Sequence, residues 1–76
     1  MNNQRRKNLQ KIIEGLYDFK DDLENLQEEE QESFDNMPEG LQESERGQQI
    51  EENADSLNEC VDELDSLLDN LQNIVG

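Results

Sequence analysis

The side chains that could do chemistry in this chain are a run of carboxylates, one thiol and a few hydroxyls. The carboxylate run is Glu28-Glu29-Glu30-Gln31-Glu32. It could hold a divalent cation weakly, but it lacks the alternating Asp/Asn ligands and central Gly of a calcium loop. On a helix its carboxylates point in several directions, so a solvated acidic face is the expectation and no metal ligands are assigned. The single thiol, Cys60, lies on an apolar flank at helical spacing and is expected to be a buried structural thiol, not a nucleophile. Ser44 and Ser56 have no base partner in sight, and the chain has no histidine, the commonest general base and transition-metal ligand. No catalytic residue and no cofactor are expected, and the chain does not read as an enzyme.

What remains is a pattern of acids. Glu51, Glu52, Asp55, Glu59, Asp62, Glu63, Asp65 and Asp69 fall within one predicted helix, over about 28 Å at ~1.5 Å per residue. Their spacing of ~3.5 Å per charge is close to the ~3.4 Å along one strand of B-form DNA. Lysines four residues away are missing, so these acids repel one another by about 0.2–0.5 kcal/mol per pair. A surface shaped only for solubility intersperses both signs. The eight acids are therefore the candidate partner-binding residues, and the partner expected is a protein with a basic surface.

The elements that must position these acids are legible in the apolar spacing. Ile50, Ala54, Leu57, Val61, Leu64, Leu68, Leu71 and Val75 alternate steps of four and three, which keeps them on one stripe of a helix. Cys60, Leu67 and Ile74 widen that stripe on one side. Upstream, Leu9, Ile12, Leu16, Phe19, Leu23 and Leu26 form a second ladder, with Leu9, Leu16 and Leu23 at heptad position a and Ile12, Phe19 and Leu26 at d. Ile13 and Phe34 extend it at e. The reading is all-α: a first helix over about 3–34 capped by Asn2 or Asn3, a connection over 35–43 and a second helix over about 44–74 capped by Ser44. Pro38 disfavours helix at Met37 and suits the start of a short separate turn. Gly47 takes an a position, where a small residue is expected to let the first helix approach.

Two long helices on a short connection fold back as an antiparallel, coiled-coil-like hairpin, a single domain over 1–76. Matching the ladders pairs Leu9 with Leu71, Leu16 with Leu64 and Leu23 with Leu57. That alignment sets Arg5, Arg6 and Lys7 beside Asp62, Asp65 and Asp69, and lets Arg46 pair with Glu28 to Glu32. Two helices do not cover stripes three positions wide in each heptad, so two hairpins are expected to form a homodimeric four-helix bundle. The expected core and dimer residues are Leu9, Ile12, Leu16, Phe19, Leu23, Leu26, Ile50, Leu57, Val61, Leu64, Leu68 and Leu71.

Composition bounds the rest. Twenty-one acids against six cations give a formal charge of −15 over 76 residues, a balance near the border of disorder. The sustained periodicity argues for helix instead. Residues 1–20 hold five cations against two acids, a net +3; residues 21–76 hold nineteen acids against Arg46 alone, a net −18. A field of this sign repels phosphates, so direct nucleic-acid binding is not expected. One cysteine excludes an intrachain disulfide. The basic start lacks the apolar segment of a signal peptide, and no run of about 18 apolar residues would span a membrane; a cytoplasmic location in a bacterial host cell is expected.

The passage Phe34-Asp35-Asn36-Met37-Pro38-Glu39-Gly40-Leu41-Gln42-Glu43-Ser44-Glu45-Arg46-Gly47 resembles one found in small acidic helical proteins encoded by phages and integrated elements of Gram-positive bacteria. The resemblance extends from Arg5-Arg6-Lys7 through the acidic second helix. It implies an analogy with phage proteins that inhibit host nucleases or other defence enzymes, some of them DNA mimics. The leading expectation is a non-enzymatic inhibitor of a host nucleic-acid-binding or defence enzyme, acting through the acidic helical face. Two alternatives stand beside it: a structural or adaptor bundle whose acidity is only solubility, and a sponge that holds a small anionic ligand at the basic N-terminal end.

Overall fold

The computed structural model describes residues 1–76 as three helices: α1 (Asn3–Asp35), α2 (Glu39–Gln42) and α3 (Glu45–Val75). α1 and α3 lie antiparallel along a rod of 58 × 15 × 13 Å. Each long helix starts on a side-chain cap. Asn2 Oδ1 accepts from the Arg5 amide at 2.8 Å, and Ser44 Oγ accepts from the Gly47 amide at 3.2 Å. Both caps satisfy amides that have no partner inside the helix.

The connection is held by its own backbone. The Asn36 amide donates to the Glu32 carbonyl at 2.9 Å and the Met37 amide to the Phe34 carbonyl at 3.1 Å, closing the last turn of α1. Pro38 opens α2, and its carbonyl accepts from the amides of Leu41 and Gln42. Gln42 Nε2 reaches back to the Phe34 carbonyl at 3.0 Å, fastening α2 to the end of α1. Leu41 remains exposed and Met37 is half-buried, so of the two apolar residues of the connection Met37 is the better covered. Gly47 is buried, but its neighbour is not α1. A Cβ there would collide with the carbonyl oxygens of Leu41 and Gln42. The close approach expected between the long helices occurs instead between α2 and α3.

The core is a thin seam. Ile13, Ala54, Val61 and Leu68 are its buried apolar residues, flanked by half-buried Leu9, Leu16, Leu23, Phe34, Ile50, Leu57, Leu64, Leu71 and Val75. On α3 the seam follows positions a and d, as the ladder predicts. On α1 it follows a and e: Leu9, Ile13, Leu16, Lys20, Leu23, Gln27, Glu30 and Phe34 are all buried or half-buried. Ile12, Phe19 and Leu26, expected in the core, are exposed. The reason is geometric. Positions d and e lie about 60° and 40° to either side of a, and one helix opposite α1 covers only half of so wide a stripe.

Three cross-helix bonds fix the alignment: Lys20 with Asp65, Tyr17 with Gln72 and Glu30 with Asn53. Their residue numbers total 85, 89 and 83, whereas the pairing of Leu16 with Leu64 implied about 80. The helices are displaced by about one turn from the expected register. That turn carries Arg5, Arg6 and Lys7 past the last turn of α3, so they do not lie beside Asp62, Asp65 and Asp69. Neither they nor Arg46 form an ion pair; both ion pairs of the chain belong to Lys20.

Candidate partner-binding surface

All eight acids of the predicted face are exposed on α3. Asp55, Asp62 and Asp69 recur every seven residues, as do Glu52 and Glu59, and these two lines run along the back of the helix away from the seam. Glu51, Glu52 and Asp55 border one shallow depression together with Gln48. Glu63 lies on the other shoulder of the helix. Asp65 differs from the rest: its carboxylate accepts from Lys20 Nζ, which also lies 3.8 Å from Glu24. The remaining seven acids make no ion pair, and they supply the surface with its uncompensated charge.

Lys20 occupies a seam position and keeps only 17% of its side chain exposed. Its stem covers apolar surface while the ammonium emerges beside Asp65. The hydrogen bond to Asp65 raises its pKa above the ordinary lysine value, against an opposing effect of desolvation; the Asp65, Glu24 and Tyr17 charges add to the rise. Tyr17 lies on the same flank of the hairpin, where its hydroxyl accepts from Gln72 Nε2 at 2.6 Å. The sequence carried a usable signal for this latch, a lysine interrupting an apolar ladder at position e. Its partner depended on a register that the ladders alone do not fix.

The opposite flank is joined by Asn53 Nδ2, which donates to Glu30 Oε2 at 3.1 Å. Glu30, Asn53, Leu57 and Cys60 line a shallow groove there. Cys60 is exposed, contrary to the expected buried thiol, because it stands at position g, outside the a and d seam of α3. Leu67 and Ile74, seven and fourteen residues on, are exposed on the same line. Ile12, Phe19 and Leu26 of α1 face this flank too, since d lies on the side of a away from Lys20. An apolar face thus runs along one flank of the hairpin, while the line of Asp55, Asp62 and Asp69 lies toward the other.

No group of three His, Cys, Asp or Glu side chains is arranged to hold a metal ion, and no helix is long and apolar enough to cross a membrane. Near the connection Arg46 and Glu30 border a second groove with Met37, Leu41 and Ile50. Comparison with protein-family models, with curated proteins and with solved structures finds no match to this chain.

Proposed function

We propose that this protein is a non-enzymatic inhibitor of phage type that acts in the cytoplasm of a bacterial host. It binds a basic, nucleic-acid-binding surface of a host enzyme through the acidic face of α3. The observation that carries this reading is the row of seven exposed acids with no ion-pair partner, held on a helix whose ends are capped and whose other side is packed. A helix capped at its start and packed along its other side presents these charges at fixed positions and with little freedom to reorganise. Such preorganisation favours binding by an enzyme groove built for a regular polyanion. Two copies associate through the exposed apolar flank into a four-helix bundle, with the acidic rows outermost.

The test is capture of host proteins on the immobilised chain at low and high salt. A nucleic-acid enzyme bound at low salt, and displaced by added duplex DNA or by high salt, is the expected result. Reversing three charges (Asp55→Lys, Glu59→Lys and Asp62→Lys together) should abolish that capture while far-UV circular dichroism stays unchanged. Retention by the folded triple variant would overturn the acidic face as the binding surface. A second reading, an adaptor bundle, draws on the exposed apolar flank; it predicts a captured partner that resists both salt and DNA.

A further inference from the structure

We infer that the exposed apolar flank is a self-association face on which two hairpins pair in opposite directions, the free end of each lying against the connection end of the other. This rests on the homodimer reading above and adds the two-fold axis and the polarity.

The face consists of Ile12, Phe19 and Leu26 on α1 with Cys60, Leu67 and Ile74 on α3. Apart from Cys60, itself exposed, these residues are 45–65% exposed. They fall into three rows. The numbers of Ile12 with Ile74, Phe19 with Leu67 and Leu26 with Cys60 each total 86, within the range of 83 to 89 set by the three cross-helix bonds. Each stripe is about 21 Å long at ~1.5 Å per residue. The face exposes on the order of 500 Å² of apolar surface, toward the upper end for the largest patch of an ordinary monomer. That is more than half of the ~800 Å² that each partner contributes to a standard interface. The hairpin itself buries only four apolar residues, so the larger reserve of apolar contact lies on this face. Its pattern also suits its own copy: the residues repeat every seven along both helices, which is the spacing that antiparallel helices of a bundle interdigitate.

Charge selects the direction. Arg5, Arg6, Lys7 and Lys11 crowd the free end and are exposed without an ion pair, whereas Glu28, Glu29, Glu30 and Glu32 crowd the connection end. Pairing in the same direction gathers the cations of both copies at one end of the bundle and their acids at the other. Pairing in opposite directions sets each basic end against an acidic end, and like-charge juxtaposition is avoided at both. The geometry permits full overlap, because Phe19 is the middle residue of α1 (Asn3–Asp35). A two-fold axis through the Phe19 and Leu67 row lays each rod over the whole length of the other. Leu67 then faces Leu67 of the second copy, and Cys60 faces Ile74. The two Cys60 residues lie about 20 Å apart, too far to bridge.

The test uses the whole chain with one cysteine moved. Sedimentation or light scattering of the unmodified protein at about 100 μM should give twice the 8.9 kDa chain mass; a monomeric mass overturns the homodimer reading and this inference together. In a Cys60→Ser background, Leu67→Cys is expected to form a covalent dimer on mild oxidation, while the unmodified chain, with Cys60 alone, does not. A non-covalent dimer in which Leu67→Cys fails to cross-link, and only a Phe19→Cys, Leu67→Cys double variant does, overturns the opposed direction and leaves the dimer standing. A second measurement does not touch the apolar face. Replacing Arg5, Arg6 and Lys7 with Gln should weaken opposed dimers at least tenfold at low salt. Tighter association of this variant would mark same-direction pairing and overturn the inference.

Discussion

Gly15 and Gly47 are both glycines inside helices, and their surroundings are opposite. Around Gly15 no atom stands where a Cβ would be, whereas at Gly47 the backbone of α2 fills that place. Gly15→Ala should therefore stabilise the fold by about 1 kcal/mol, the helix-propensity difference. Gly47→Ala should destabilise it by about 1–3 kcal/mol, because the carbonyls it would strike are held by α2 and do not yield like a side-chain tip. Urea unfolding of the two variants, followed by circular dichroism at 222 nm, checks both signs. The heptad spacing marked Gly47 as a position of close packing, but against α1 and not against α2, its actual neighbour. A heptad position tells which face a residue occupies, and the short helix that reaches that face was visible only as a turn around Pro38.

At the scale of the element, the helix starts were legible because a cap is a local device. Asn2 and Ser44 each precede a periodic run, and each accepts the amide three residues on. Ser44 also donates to the Leu41 carbonyl, so it ties α2 to α3 as well as capping α3. Ser44→Ala is expected to cost about 1 kcal/mol, with the loss concentrated in α3; amide hydrogen exchange should quicken over Gly47 to Ile50 before it changes near Leu64. The choice of face on α1 was less legible. Its apolar residues occupy a, d and e, and the a–d ladder of Leu9, Ile12, Leu16 and Phe19 is as regular as any seam. What selects a and e is the opposing helix, and Lys20 reaches Asp65 only from e. Register failed for a related reason. Heptads repeat, so a slip of about one turn keeps apolar residues opposite one another, and only the specific bonds of Tyr17, Lys20 and Glu30 separate the alternatives. The exposed position of the acids, by contrast, followed directly from the α3 ladder, since whatever lies opposite a and d faces water.

Across the whole molecule the hairpin is poor in core and rich in charge of one sign. A chain that buries five of its 76 residues and carries a charge of −15 has little stability to spare. If its apolar flank is closed by a second copy, folding and association are one equilibrium. The midpoint of thermal unfolding should then fall by about 3–6 °C for each tenfold dilution. A midpoint that stays constant from 1 to 100 μM would mean that the hairpin stands alone.

The return of α3 alongside α1 has a practical consequence for anyone joining two copies into one polypeptide. Asn2 and Gly76 lie at the same end of a 58 Å rod. In opposed pairs, the end of one copy and the start of the next are separated by nearly that full length. A tether between them needs at least about 17 fully extended residues. For a glycine-serine tether to match that span at rest, roughly 100 residues are required, at ~5–6 Å times the square root of their number. If the copies pair in opposed directions, a fusion joined by five or six residues would prevent the two halves from closing on each other, and would instead recruit copies from neighbouring chains into longer assemblies.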